Sequence, residues 1–91
     1  MSNINLGSSN KISCIVMEAR KFIKEQLKIV YLLGNDEKLF LDSRFEPEDV
    51  LLMMHHLCKL NGIDLRNMSR FEGDFTVNSI SSYIANNIPN K

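Results

Sequence analysis

The stretch LFLDSRFEPEDVLLMMHHL, residues 39–57, decides how the chain is built. Its first half is an apolar-acidic segment that closes on Phe45, and its second half has the pattern of an amphipathic helix. Pro47 fits the first turn of that helix, where its missing N–H has no intrahelical partner to lose. Glu46, Glu48 and Asp49 put negative charge at the positive end of the helix dipole. With Glu46 as the cap, Phe45 stands at N′ and Val50 at N4, the pairing of a hydrophobic staple. Val50, Met53, Met54, Leu57 and Leu60 then form the inward stripe, with the methionines read as core residues. Asn61-Gly62 ends the helix, because glycine takes the left-handed conformation without a Cβ clash.

Working outward, ISCIVMEARKFIKEQLKIV predicts a long helix before this one. Ile12, Ile15, Val16, Ala19, Phe22, Ile23, Leu27 and Val30 recur at three-to-four spacing and make one apolar stripe. Ser13 is its expected cap, and Glu18, Lys21, Lys24, Glu25 and Lys28 form a solvated face. Downstream, FTVNSISSYIANNI predicts a last helix capped by Thr76, with Val77, Ile80, Tyr83, Ile84 and Ile88 inward. Between them GIDLRNMSRFEGDF has room for an extended link and one short helical turn, anchored by Leu65, Met68, Phe71 and Phe75.

The segment IVYLLGNDEKLFL, residues 29–41, also satisfies a β-hairpin pattern around its Gly-Asn-Asp-Glu centre. An isolated hairpin is poorly stable, and nothing else reads as a strand. A long loop in which Leu33, Leu39 and Leu41 plug one end of a helical bundle is the preferred reading. The expected fold is therefore all-α, with three main helices, one short helix and a long loop between helices one and two. Residues 1–11 read as a flexible N-terminal segment, 12–88 as the helical domain and 89–91 as a tail.

Composition narrows function by exclusion. Eleven basic residues balance eleven acidic ones, so no bulk attraction to nucleic acid or to an anionic membrane is expected. No stretch has the length of a membrane span and no secretory leader pattern opens the chain, so the expected location is cytoplasmic. Cys14 and Cys58 are too few for a disulfide framework and read as reduced structural thiols. His55 and His56 are adjacent, about 100° apart on a helix, and cannot form the i, i+4 pair of a helical zinc site. His55 and Cys58 are better spaced, but no second pair completes a shell, and no metal is expected. No Gly-x-Ser-x-Gly elbow or phosphate-binding glycine loop is present. An enzyme is not expected.

The order and spacing of these elements resemble the acyl carrier and peptidyl carrier protein family, from about Ile12 to Ile88. Four stretches carry the resemblance: FIKEQLKI, DEKLFLDSRF, LLMMHHLCKLNGIDL and FTVNSISSYIAN. They look like the end of the family's first helix, its loop with a buried phenylalanine, its second helix with the short link, and its last helix. The resemblance implies a four-helix carrier fold and, in working carriers, a 4′-phosphopantetheine arm on the serine of an Asp-Ser-Leu motif that opens helix two. Here that helix opens at Glu46-Pro47, where neither residue has a hydroxyl, and the family's glycine-containing turn is missing. No cofactor is then expected. An alternative alignment keeps Ser43 as the attachment residue, with Asp42 before it and Arg44 in place of leucine. Ser43 and Glu46 would then form a capping box, and Pro47 would fall awkwardly at the fourth helical position.

Carrier proteins usually present a strongly acidic second helix to their enzymes. In this chain the acids stop at Asp49, and His55, His56 and Lys59 follow. Such a face implies a dedicated partner. The resulting expectation is a non-catalytic, acyl-carrier-related protein that docks a biosynthetic or peptide-maturation enzyme through Glu48, Leu51, His55, His56 and Lys59. The alternatives are a working carrier modified at Ser43 and a small helical immunity or regulatory protein.

Overall fold

A computed structural model describes residues 4–29 and 34–88 of the chain. Three α-helices make the frame: α1 (Ile4–Glu25), α2 (Pro47–Leu60) and α3 (Val77–Asn86). Two 3₁₀ segments, Leu39–Leu41 and Leu65–Arg70, interrupt the connections before and after α2. Among the described residues there is no strand, so the hairpin alternative fails there; Val30 and Leu33 lie outside the described residues.

Helix α2 begins where Pro47 and its acidic neighbours predict. Glu46 holds the extended conformation of a cap, and its N–H donates to the Asp49 carboxylate at 3.0 Å. Phe45 and Val50, on either side of that cap, are both buried in the core, as a staple requires. The far end closes as a Schellman motif. Gly62 takes φ +70°, the Ile63 N–H reaches back to the Cys58 carbonyl at 2.9 Å, and that of Gly62 to Lys59 at 3.4 Å.

Helix α3 is capped as expected, the Thr76 hydroxyl accepting the Ser79 N–H at 3.0 Å. Val77, Ile80 and Ile84 are fully buried, with Tyr83 and Ile88 packed against them. Its closest companion is α1, whose Ile15, Ala19 and Ile23 follow at four-residue spacing and are buried. Ala19 at the centre of that stripe keeps the backbones close. Helix α1 starts at Ile4, well ahead of the Ser13 cap that the sequence suggested, so most of the segment read as a flexible lead-in is helical. It stops at Glu25, and Lys28 takes the left-handed conformation at φ 62°.

Three leucines correct the expected core. Leu39 is fully buried, but Leu41 is 79% exposed, because the 3₁₀ segment turns successive side chains by about 120°. Leu60 and Leu65 are also exposed rather than core, each at the end of its element. Met53, Met54, Leu57 and Cys58 complete the interior, so the methionines are core residues as read.

The long α1–α2 connection is held by directed bonds. Arg20 of α1 donates to the Asn35 side chain at 2.6 Å. At the opening turn of α3, Asn78 donates its backbone N–H to the Asn35 carbonyl and its amide to Asp36, at 2.9 and 2.8 Å. The Leu39 N–H donates to the Phe75 carbonyl at 2.9 Å, beside rings of Phe40, Phe75, Phe71 and Tyr83 that meet edge to face.

Leu39→Ala is therefore expected to cost about 2–5 kcal/mol in chemical denaturation, as for other fully buried leucines, whereas Leu41→Ala should stay within about 0.5 kcal/mol of wild type. Equal losses at both positions would contradict this packing of the loop.

Candidate functional site

Ser43 stands in a β-turn, three residues ahead of the α2 cap. The Phe45 N–H closes the turn on the Asp42 carbonyl at 3.0 Å, and the Asp42 carboxylate accepts the Arg44 N–H at 3.0 Å. Aspartate at the first position of a turn commonly makes this local bond. The same carboxylate is clamped by the Arg44 guanidinium, whose Nε donates to Oδ1 at 2.7 Å. Asp42 is thus committed to folding the turn, which leaves Ser43 exposed beside a shallow surface recess of about 530 Å³ formed with Glu37, Lys38, Leu41 and Asp42.

The residues expected to meet a partner divide into two groups. Glu48, Leu51, His55 and Lys59 recur at three-to-four spacing and are all exposed, Leu51 to 56%. They form one solvent face of α2. His56 is turned away from it and half-buried, its ring tilted against Phe22 of α1 with centroids 4.9 Å apart. That contact makes His56 part of the α1–α2 joint.

Two exposed residues on α2 escaped the sequence reading. Leu52 lies between the solvent face and the α1 joint, and Leu60 was assigned to the core; both are more than half exposed. The signal was present in the four-residue line Leu52–His56–Leu60, but the core stripe of the same helix obscured it. Shallow recesses of about 420 and 310 Å³ open along this line between α2 and the C-terminal half of α1.

Electrostatically, α2 runs from acid to base. Glu48 and Asp49 occupy its first turn and Lys59 its last, as the helix dipole favours. Just beyond it, Asp64 caps the 3₁₀ segment by accepting the Arg66 N–H at 2.9 Å and the Arg66 guanidinium at 2.7 Å. Arg66 holds the Asp64 carboxyl down at about 2, first through the side-chain bond and then through the backbone one. Burial pushes the Cys58 thiol up, and the nearby Asp64 charge adds to this. Cys14, in contrast, is exposed on α1, so only one of the two thiols is a core residue. Among the described residues, no three His, Cys, Asp or Glu side chains are placed to share a metal ion, and no helix is long and apolar enough to cross a membrane.

A carboxyl whose folded pKa is depressed stabilises the fold above its unfolded pKa and loses that contribution as pH falls through the folded value. For Asp64 the window lies below the ordinary aspartate value of 3.8 and reaches down to about 2. Carboxyl NMR titration should place its midpoint near that lower limit, and Arg66→Ala should return it towards the ordinary range. A midpoint unchanged by the substitution would contradict the capping arrangement.

Comparison of the chain with protein-family models, with curated proteins and with solved structures finds no match in any of the three.

Proposed function

We propose that the chain is an acyl-carrier-related, non-catalytic docking protein, which engages a biosynthetic or peptide-maturation enzyme through α2 and carries no phosphopantetheine arm. One observation carries this reading: α2 opens at Glu46-Pro47 with no hydroxyl, yet exposes Leu51 among Glu48, His55 and Lys59. Leu51 is 56% exposed on the solvent face of α2, with Glu48 before it and His55 and Lys59 after it. The arrangement suits a contact in which Leu51 is the apolar anchor and the flanking charges select the partner. The change of sign along α2 favours one dedicated enzyme over a generic basic patch.

A second reading, a carrier modified at Ser43, draws on the exposure of that hydroxyl at the turn. Against it stands the geometry of attachment: the serine lies in a turn pinned by Asp42 and Arg44, not at the tip of α2.

Two measurements separate these readings. Incubation with coenzyme A and a broad-specificity phosphopantetheinyl transferase should leave the intact mass unchanged. A stoichiometric gain that disappears in Ser43→Ala would establish the carrier reading instead. In capture from the native host, Leu51→Glu should reduce recovery of a biosynthetic or maturation enzyme about tenfold or more, equivalent to at least about 1.4 kcal/mol. Thermal unfolding should hardly change, because Leu51 is exposed. Recovery of a toxin in place of such an enzyme would point to an immunity protein.

A further inference from the structure

The flank of α2 next to α1 carries an apolar row that the fold leaves uncovered. Leu52, His56 and Leu60 follow at four-residue spacing, so the row is about 12 Å long. Leu52 and Leu60 are 54% and 53% exposed at its ends, and the His56 ring on Phe22 fills its centre. The two helices run antiparallel here: Leu27 shares a recess with Leu52, and Glu18 shares the other with Leu60.

Charge is distributed unequally across this seam. His55 and Lys59 border the recess beside Leu52, and among the described residues no acidic one lines it. On the α1 side, Glu18 and Glu25 border the recess beside Leu60. Lys21 also borders it, but lies about 60° further round α1 from the seam than Glu18 does. The α2 rim is therefore basic and the near α1 rim acidic, with apolar side chains between them.

We propose that this seam is a self-association surface, on which a second copy of the chain packs about a two-fold axis running parallel to the seam. Such an axis lays α1 of the second copy over α2 of the first, and the reverse. Lys59 then meets the partner's Glu18, His55 lies towards the partner's Glu25, and both contacts occur twice by symmetry. Leu52 and Leu60 are covered in the same step. A two-fold axis across the seam would instead stack α1 on α1 and oppose like charges, which disfavours it. The chain's own α1 thus supplies the acidic, apolar-edged surface that the α2 rim needs. The inference goes beyond the docking role: the dimer shares His55 and Lys59 with the docking face and leaves Glu48 and Leu51 open, so the two contacts compete for one edge of α2.

Sedimentation equilibrium from about 10 µM to about 1 mM should show the mass rising from that of one chain, 10.5 kDa, towards twice that value. Leu52→Glu should hold the chain at the monomer mass with an unchanged helical circular-dichroism spectrum. Lys59→Glu should weaken association about tenfold, and Glu18→Lys in the same chain should restore most of that loss. Leu51→Glu should leave association as it is, so a failed docking assay and a failed dimer assay remain distinct results. A monomer at every concentration, or a dimer indifferent to both Leu52→Glu and Lys59→Glu, would overturn the proposal.

Discussion

The chain turns into α2 at a single well-defined point, and most of the architecture follows from it. Phe45 is driven into the core immediately before the cap, Val50 immediately after the first turn, and Asp49 holds the Glu46 N–H between them. Pro47 makes this start hard to move. At the fourth helical position, where intrahelical N–H bonds begin, it would cost a hydrogen bond, and upstream the Asp42–Phe45 turn already uses the backbone differently. Fixing the start fixes the rotation of α2. Met53, Met54, Leu57 and Cys58 must then face inward, and Glu48, Leu51, His55 and Lys59 must face solvent.

The long connection before α2 acts as a third wall of the bundle. Its centre is tied to α1 through Arg20 and to the opening of α3 through Asn78, and its end is tied to Phe75 by a backbone bond. These are mostly polar contacts near the surface, each worth about 1 kcal/mol net. Leu39 supplies the apolar part, and the rings of Phe40, Phe71, Phe75 and Tyr83 close the same end of the molecule. The Tyr83 hydroxyl donates to the Asn67 carbonyl at 2.7 Å, which joins the second connection to the same cluster. Both connections thus converge on α3, the shortest α-helix and the one with the fewest charged residues.

Helices α2 and α3 were legible in the sequence because cap chemistry and periodicity agree there. Pro47 with its acids, Asn61-Gly62 and Thr76 each state a boundary in local chemistry that tertiary contacts do not override. The start of helix α1 is obscured by Gly7, Ser8, Ser9 and Asn10, weak helix formers that read as a loop, and Ser13 is a good cap residue that lies inside the helix instead. Leu60 was misplaced because periodicity tells which way a side chain points but not how far the neighbouring elements extend, so a residue at a helix end satisfies an inward pattern and still meets solvent. Leu41 and Leu65 were read as anchors of irregular connections, where the 3₁₀ turns that set their direction left no periodic signal. The solvent face of α2 was readable from spacing, whereas the Phe22–His56 contact was not, because it depends on how α1 and α2 cross. The hydrogen-bonded turn around Asp42-Ser43 was not legible in the sequence, because it rests on three-dimensional bonds to Arg44 and Phe45.

Helix α2 begins at Pro47 and leaves Ser43 outside it. Backbone NMR across residues 42–50 tests it most directly. Helical Cα shifts should begin at Pro47, with the Ser43 amide exchanging fast and the Val50 amide protected by its bond to the Glu46 carbonyl. Continuous helical shifts from Ser43 onward, with Arg44 and Phe45 included, would contradict the account.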